Sequence, residues 1–468
     1  MLISVVQFFW PSINKEEARK FGLLAVGLLC LFGSYWMLRI LKDTIFFTIA
    51  FPEALGWMKN QGAKFQPLAK MYSLVAVFIS IIVYTRLVDL FKKHQLFYII
   101  GTFYITIFGS ISAVLLANEM NFLGSGELTK TVLATTGWVS YLSIESFGSI
   151  MIPLFWSFVV SITKTESAKV GFPIIVAGAQ IGSIAGSALN IVSDRFGGQS
   201  GLLLIGCALI LGNIFLINYF MKTTPSSLLE GNKVAEQHDA KHAKEGFFES
   251  MISGIRLLFT RPYLFGVLLC STLYEVIVTI VDYQMKALAS GSGLSSSEFS
   301  TFLGYFGVGV NGLAFLMALL GTSYFMKQFG LRFCLLLYPI GLGIALAGLY
   351  GFYLTNPNAQ QLLWAISLVV IFGKGLSYAV NNPAKEMMYI PTSKDAKFKA
   401  KGWIDMFGGR TAKAGGSVIT DRLKHSAEEL MAQGTMISLA IIGLLWIPAA
   451  LYVGNKNEQL IKENEIIE

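Results

Sequence analysis

Apolar runs of 18 or more residues recur along the whole of this 468-residue chain. That is the length a helix needs to cross about 30 Å of hydrocarbon, so the sequence reads as an all-α polytopic membrane protein. Charged residues are 14% of the chain, against roughly 25% in an ordinary soluble protein. Candidate spans fall near 21–50, 67–89, 96–117, 131–161, 170–192, 201–221, 263–289, 301–326, 332–354, 361–391, 402–420 and 433–454. The segment 402–420 is polar enough to pass for a loop, and it counts as a span because the repeat described below requires it.

An even number of spans places both termini on one side, and the Lys/Arg bias of the loops decides which. Lys15, Arg19, Lys20, Arg86, Lys92, Lys93, Lys164, Lys222, Arg256, Arg261, Lys327, Arg332, Lys394, Lys401 and Lys456 fall on the terminal side, whereas Lys59, Lys64, Lys70, Lys130, Arg195, Lys286, Arg422 and Lys424 fall on the other. Both termini are therefore expected in the cytoplasm. The opening residues resemble neither a cleavable signal nor an organellar transit peptide, which points to a bacterial cytoplasmic (inner) membrane. The net charge of +8 is interleaved with the spans, so topology accounts for it better than nucleic acid does. Cys30, Cys207, Cys270 and Cys334 sit singly in apolar runs and read as small buried hydrophobes.

One long polar stretch, Thr223–Glu249, divides the spans six and six. Its His238 and His242 stand at i, i+4, but without further ligands nearby they read as part of a solvated linker rather than a metal site. Internal similarity gives the same division. The segment 165–169 (TESAK) resembles 393–397 (SKDAK), and 192–196 (VSDRF) resembles 419–423 (ITDRL), at offsets of 228 and 227 residues. Parallel six-helix repeats are the plan of major-facilitator-like carriers, whose substrate site lies between the halves at mid-depth. The expected organisation is a six-helix bundle over 1–221, a cytoplasmic linker over 222–262, a second bundle over 263–455 and a tail over 456–468. Two fused halves already form a complete pathway, so a monomer is expected.

A charge at the centre of a span costs about 2.5–3.5 kcal/mol on insertion scales. Arg39, Lys42, Lys374, Lys385, Arg410 and Lys413 all fall within candidate spans, with Asp43, Glu145, Glu275, Asp282, Glu386 and Asp405 among them. These residues either pair within the helix bundle or face water and a ligand. Arg39 and Lys42 share a helix face at i, i+3. Lys385 follows Asn381, Asn382 and Pro383, where the proline should break the helix. Arginine and lysine together suit phosphate oxygens, so several of both favour a polyanion over a sugar. Along span seven, Thr272, Glu275, Thr279, Asp282 and Lys286 form a polar stripe at helical spacing. Glu145 and Glu275 could carry protons or pair with binding-site lysines when substrate is absent. Trp138, Tyr141, Trp403 and Phe407 are candidates to stack on a base. No H-E-x-x-H, G-x-S-x-G or Walker sequence occurs, so neither an enzyme nor an ATP-driven pump is expected, and neither is a cofactor.

Several blocks carry a resemblance. They are LRILKDT (38–44), GAKFQP (62–67), HQLFY (94–98), PAKEMMYIP (383–391), DAKFKAKG (395–402) and DMFGGRTAKAGGS (405–417). Together they resemble the ATP/ADP translocase family of intracellular bacteria and plastids, over most of the chain. The resemblance implies exchange of nucleotides across the membrane, ATP for ADP in most members. Proton-coupled uptake of nucleotides, NAD or another phosphorylated metabolite is the alternative. It also implies substrate-binding roles for Lys42 and Lys385 and a role for Glu145. The substrate-binding set is Arg39, Lys42, Glu145, Asn382, Lys385, Arg410 and Lys413, and the coupling set is Glu145, Glu275 and Asp282. Span seven departs from the family pattern, with Val278 at the usual glutamate position if Gln284 and Lys286 are the anchor, and Glu275 one turn earlier.

Overall fold

The structure is a computed structural model and describes residues 3, 7, 13–229, 255–320, 322–424, 427–463 and 465–467. His238, His242 and His425, with most of the expected linker, lie outside the described residues. Among the described residues the fold is all-α, and the only strand-like feature is an isolated bridge between Thr392 and Ile467. Eleven helices among the described residues are long and apolar enough to cross a membrane.

In chain order the helices are α1 (Lys15–Thr44), α2 (Gln61–Leu90), α3 (Lys93–Glu119), α4 (Glu127–Ser161), α5 (Thr165–Ile191) and α6 (Gly198–Thr223). They continue with α7 (Pro262–Gly291), α8 (Ser296–Leu320), α9 (Thr322–Tyr353), α10 (359–388), α11 (394–423) and α12 (427–463). The polar eleventh segment is thus helical. Its start falls within a residue of where the repeat places it, because α5 begins at Thr165 behind Lys164 and α11 begins at Lys394 behind Ser393, whose hydroxyl accepts from the Ala396 N–H at 3.1 Å.

Among the described residues four π-helical turns interrupt the α-helices, at Ile45–Ile49, Ser377–Asn381, Ile404–Gly408 and Ile442–Trp446. The second bears on the expected break at Pro383. The backbone stays helical through Leu376, Ser377, Asn381 and Asn382, and α10 runs on to Met388. A proline removes an i→i−4 hydrogen bond, and the preceding π turn takes up that mismatch in place of a break.

The chain forms two compact units, one of residues 1–62, 75–241 and 294–308, the other of 63–74, 242–293 and 309–468. In the first, α1 and α5 form the spine. Between helices in lipid the driving force is van der Waals packing and interhelical hydrogen bonding, which favours small residues at contacts. Gly178, Gly182 and Gly186 stand one turn apart on α5, and a Cβ on each would lie 2.3, 2.2 and 2.1 Å from the carbonyl oxygens of Ala25, Leu29 and Gly33. Only glycine admits that approach. Two buried amides add interhelical hydrogen bonds to α1: Asn213 of α6 donates to Gly27 O at 2.7 Å, and Asn190 of α5 donates to Met37 O at 3.5 Å. The backbone of α1 is therefore fixed just ahead of Arg39 and Lys42.

In the second unit α7 is the buried hub, packed against α10, α11 and α12. The Gln284 amide donates to Leu430 O at 2.7 Å, and the Tyr283 hydroxyl donates to Ala63 O, at the start of α2, at 3.0 Å. The glycines of the 405–417 block let α11 lie close along α7. A Cβ on Gly416 would meet Val276 O at 2.8 Å, and one on Gly408 would meet Thr272 Cγ2 at 3.1 Å.

Candidate functional site

Each unit gathers charge in its interior. In the first, Lys42 is 4% exposed. Its ammonium donates to Glu145 Oε1 at 2.5 Å, lies 3.7 Å from Asp43 Oδ1, and stands 4.4 Å from the centroid of the Tyr141 ring. Arg39, one turn earlier, places its guanidinium 4.9 Å from the centre of the Trp36 ring. The side chain of Glu145 is 30% exposed, so this pair joins a sealed lysine to a carboxylate that still meets open space. A π turn begins at Ile45, three residues past Lys42. Gly62 lies against that turn, where a Cβ would be 2.1 Å from Phe46 O, which gives the glycine of the 62–67 block a packing reason.

Tyr141, read from sequence as a stacking surface, is fully buried beneath Lys42 and beside Phe46 at 5.0 Å. It supports the cation and offers no open face. Trp138 packs edge-on against Phe46 at 5.3 Å, and Trp403 lies 6.2 Å from Phe407.

The second unit holds two clusters on α7. At the first, Glu275 Oε2 is 3.6 Å from Lys413 Nζ of α11, with side chains 25% and 46% exposed. Lys385 Nζ stands 5.9 Å from the centre of the Tyr274 ring and interacts through space with Glu275 and Asp405. Arg410 is half-buried, one residue past Gly409, where a Cβ would lie 3.9 Å from Glu275 Cγ. Asn382 is exposed, while its neighbour Asn381 is buried. Glu386 points to a different partner, accepting from Lys401 Nζ at 2.6 Å on both oxygens.

Two turns further along α7, Asp282 is 3% exposed and binds two ammonium groups. Lys286 donates to Oδ2 at 2.6 Å, and Lys374 of α10 donates to Oδ1. Lys70 of α2 acts on the same carboxylate through space. The sequence shows Asp282 and Lys286 as one polar stripe at i, i+4. It shows Lys70 only as a flanking cation and gives no sign that Lys374, 92 residues away, shares the carboxylate.

Paired carboxylates and lysines at helix–helix contacts, in helices of membrane length, suit reversible capture of an anion rather than bond-making chemistry. Among the described residues no cluster of His, Cys, Asp or Glu could hold a metal ion.

Comparison with known proteins agrees with this geometry. The chain is 23% identical to ADP,ATP carrier protein 1 of Chlamydia muridarum, over 95% of this chain and 89% of that protein. It is 25% identical to ADP,ATP carrier protein 1 of Rickettsia typhi, over 98% and 97%. Among solved structures it resembles a bacterial homologue of the iron transporter ferroportin in its inward-facing state, with a TM-score of 0.62 at 12% identity, covering 92% of this chain and 98% of that one. At that identity the likeness concerns the fold alone, which is major-facilitator-like. Residues 2–456 match the TLC ATP/ADP transporter family, and the chain belongs to that family.

Proposed function

We propose that this protein exchanges nucleotides across the bacterial inner membrane by alternating access, with both termini in the cytoplasm and a single chain as the working unit. Arg39, Lys42, Lys385, Arg410 and Lys413 hold the phosphate groups, Glu145 and Glu275 occupy Lys42 and Lys413 when substrate is absent, and Asp282, which pairs with Lys286 and Lys374, takes part in coupling. The observation that carries this reading is the sealed Lys42 with Glu145 at 2.5 Å. A buried ammonium must keep an anion, so an arriving phosphate can replace the carboxylate at little cost in charge balance. A ligand shifts a conformational equilibrium only through its differential affinity for the two states, and exchanging partners at such a pair supplies that difference.

Proton-coupled uptake is the second reading. It is favoured by the partial exposure of the Glu145 and Glu275 side chains, 30% and 25%, which lets a carboxylate released by its lysine take a proton from water. Uptake of labelled ATP by liposomes containing Lys42→Ala or Lys385→Ala protein tests the site. Loss of uptake in correctly folded protein is expected, and normal uptake by both variants would refute the assignment.

A further inference from the structure

A cavity of about 360 Å³ opens in the first unit, at the end where α1 and α3 finish and α4, α6 and α8 begin. Ligand pockets run roughly 300–1,000 Å³, so its size suits a small molecule. One wall is apolar, from Ile49, Leu115 and Leu133, and the other is polar without being cationic. Among the described residues no lysine or arginine lines it, and its one charged lining residue is Glu119, whose carboxylate accepts from Ser200 Oγ at 3.0 Å. It is therefore unlike the lysine-bearing clusters of either unit. The hydrogen-bonding groups of the polar wall are already oriented. Thr48 donates its hydroxyl to Thr44 O at 2.7 Å and Thr129 donates to Leu123 O, so towards the cavity both offer only oxygen lone pairs. Gln199 is the reverse case. It follows Gly197 and Gly198, whose φ of 82° and 66° lies in the left-handed region that favours glycine, and this turn seats its side chain in the cavity wall at 6% exposure. Its Nε2 has no hydrogen-bond partner among the described residues. Buried donors are almost always paired, so this amide marks a place where the acceptor of a ligand fits.

We propose that this cavity is a second ligand site, separate from the buried lysines, and that it takes an uncharged nucleoside. A ligand there needs donors for Thr48 and Thr129, an acceptor for Gln199 and an apolar face for Leu115 and Leu133. A purine or pyrimidine carries donor and acceptor side by side on the edge of a flat ring, and the ribose hydroxyls serve as both. A phosphate would instead meet two acceptors and a carboxylate with no cation to offset them, so nucleotides are excluded by the very group that the lysines would hold. The occupant also reaches the transport machinery, because Thr48 and Ile49 belong to the π turn that starts three residues past Lys42. A nucleoside bound to Thr48 restrains that turn and slows exchange without competing for the lysines. The restraint rests on the nucleotide-exchange reading above, whereas the binding does not.

The test is equilibrium dialysis of labelled adenosine against purified full-length protein in detergent, with excess ATP or glucose as competitor. Saturable adenosine binding that survives excess ATP is expected, and glucose, which has hydroxyls but no flat heterocycle, should compete poorly. Gln199→Leu should weaken adenosine about tenfold, the equivalent of about 1.4 kcal/mol, and leave ATP binding and the unfolding temperature unchanged, because no existing hydrogen bond is lost. Ala54→Trp, at the exposed rim, should block the cavity from outside and abolish adenosine binding without touching the core. No saturable adenosine binding, full displacement by ATP, equal competition by glucose, or binding unchanged in both variants would overturn the site. In liposomes adenosine should lower the maximal rate of ATP uptake against internal ADP without raising the ATP concentration for half-maximal uptake, and Gln199→Leu should relieve the inhibition. Inhibition overcome by ATP would place adenosine among the lysines and overturn the site, and an unchanged rate would overturn the restraint. If ATP is neither bound nor exchanged, the exchange reading fails, while adenosine binding that Gln199→Leu weakens still upholds the site.

Discussion

The ammonium of Lys42 on α1 donates to the carboxylate of Glu145 on α4 at 2.5 Å, across 103 residues of sequence, and the Tyr141 ring lies beneath the same nitrogen at 4.4 Å. One lysine thus joins two helices of the first unit, and under the proposed function a phosphate can reach it only when its carboxylate lets go.

Breaking a buried pair from one side costs about 3–5 kcal/mol because the partner is left uncompensated; the partial exposure of Glu145 puts the expectation at the lower end. Lys42→Met should therefore lower the thermal unfolding temperature in detergent, and Lys42→Met/Glu145→Gln should recover part of the loss. Nucleotide uptake should be absent in both. A double variant no more stable than the single one would show that the pair is not what holds Lys42.

The Glu275–Lys413 pair should behave differently. At 3.6 Å and with both side chains open to solvent, it falls in the class of ion pairs that contribute about 0–1 kcal/mol. Glu275→Gln is expected to unfold at nearly the natural temperature while exchanging nucleotide much more slowly. Loss of stability without loss of transport would reverse the roles given to the two pairs.

The glycine stripe of α5 offers a test of the fold itself. Gly182→Val puts a branched side chain where the Cβ alone would lie 2.2 Å from Leu29 O, and it should abolish folded, monodisperse protein. Gly212→Ala is the control. Nothing lies within 4 Å of its added Cβ, and alanine is favoured over glycine in a helix by up to about 1 kcal/mol, so stability should hold or rise slightly. Both are read by size-exclusion chromatography and thermal unfolding.

The sequence disclosed the helices because lipid imposes a length and apolarity that survive any tertiary arrangement. It disclosed the polar helix α11 only through its repeat with α5, since 394–423 carries too much charge to read as a span alone. Buried charges were visible for the same reason, because a cation in a span must be answered by something. Which group answers was visible only where the spacing is local, as for Asp282 and Lys286. The link from Asp282 to Lys374 joins helices 92 residues apart, and no pattern along the chain encodes it.

Aromatic roles were the least legible. With aromatics at 13% of the chain, nothing distinguished Tyr141, sealed beneath Lys42, from an open stacking face. The break expected at Pro383 also depended on context, because proline forbids one hydrogen bond but does not specify whether the helix stops or loosens into a π turn.

Exchange of nucleotide for nucleotide can be observed as counterflow in liposomes. Purified protein is reconstituted with or without internal ADP, and uptake of labelled ATP is followed with and without an inward proton gradient. Rapid uptake is expected only when ADP is inside, with competition by unlabelled nucleotides and no stimulation by the gradient. Uptake into empty liposomes that is driven by the proton gradient, or no uptake of any nucleotide, would contradict exchange.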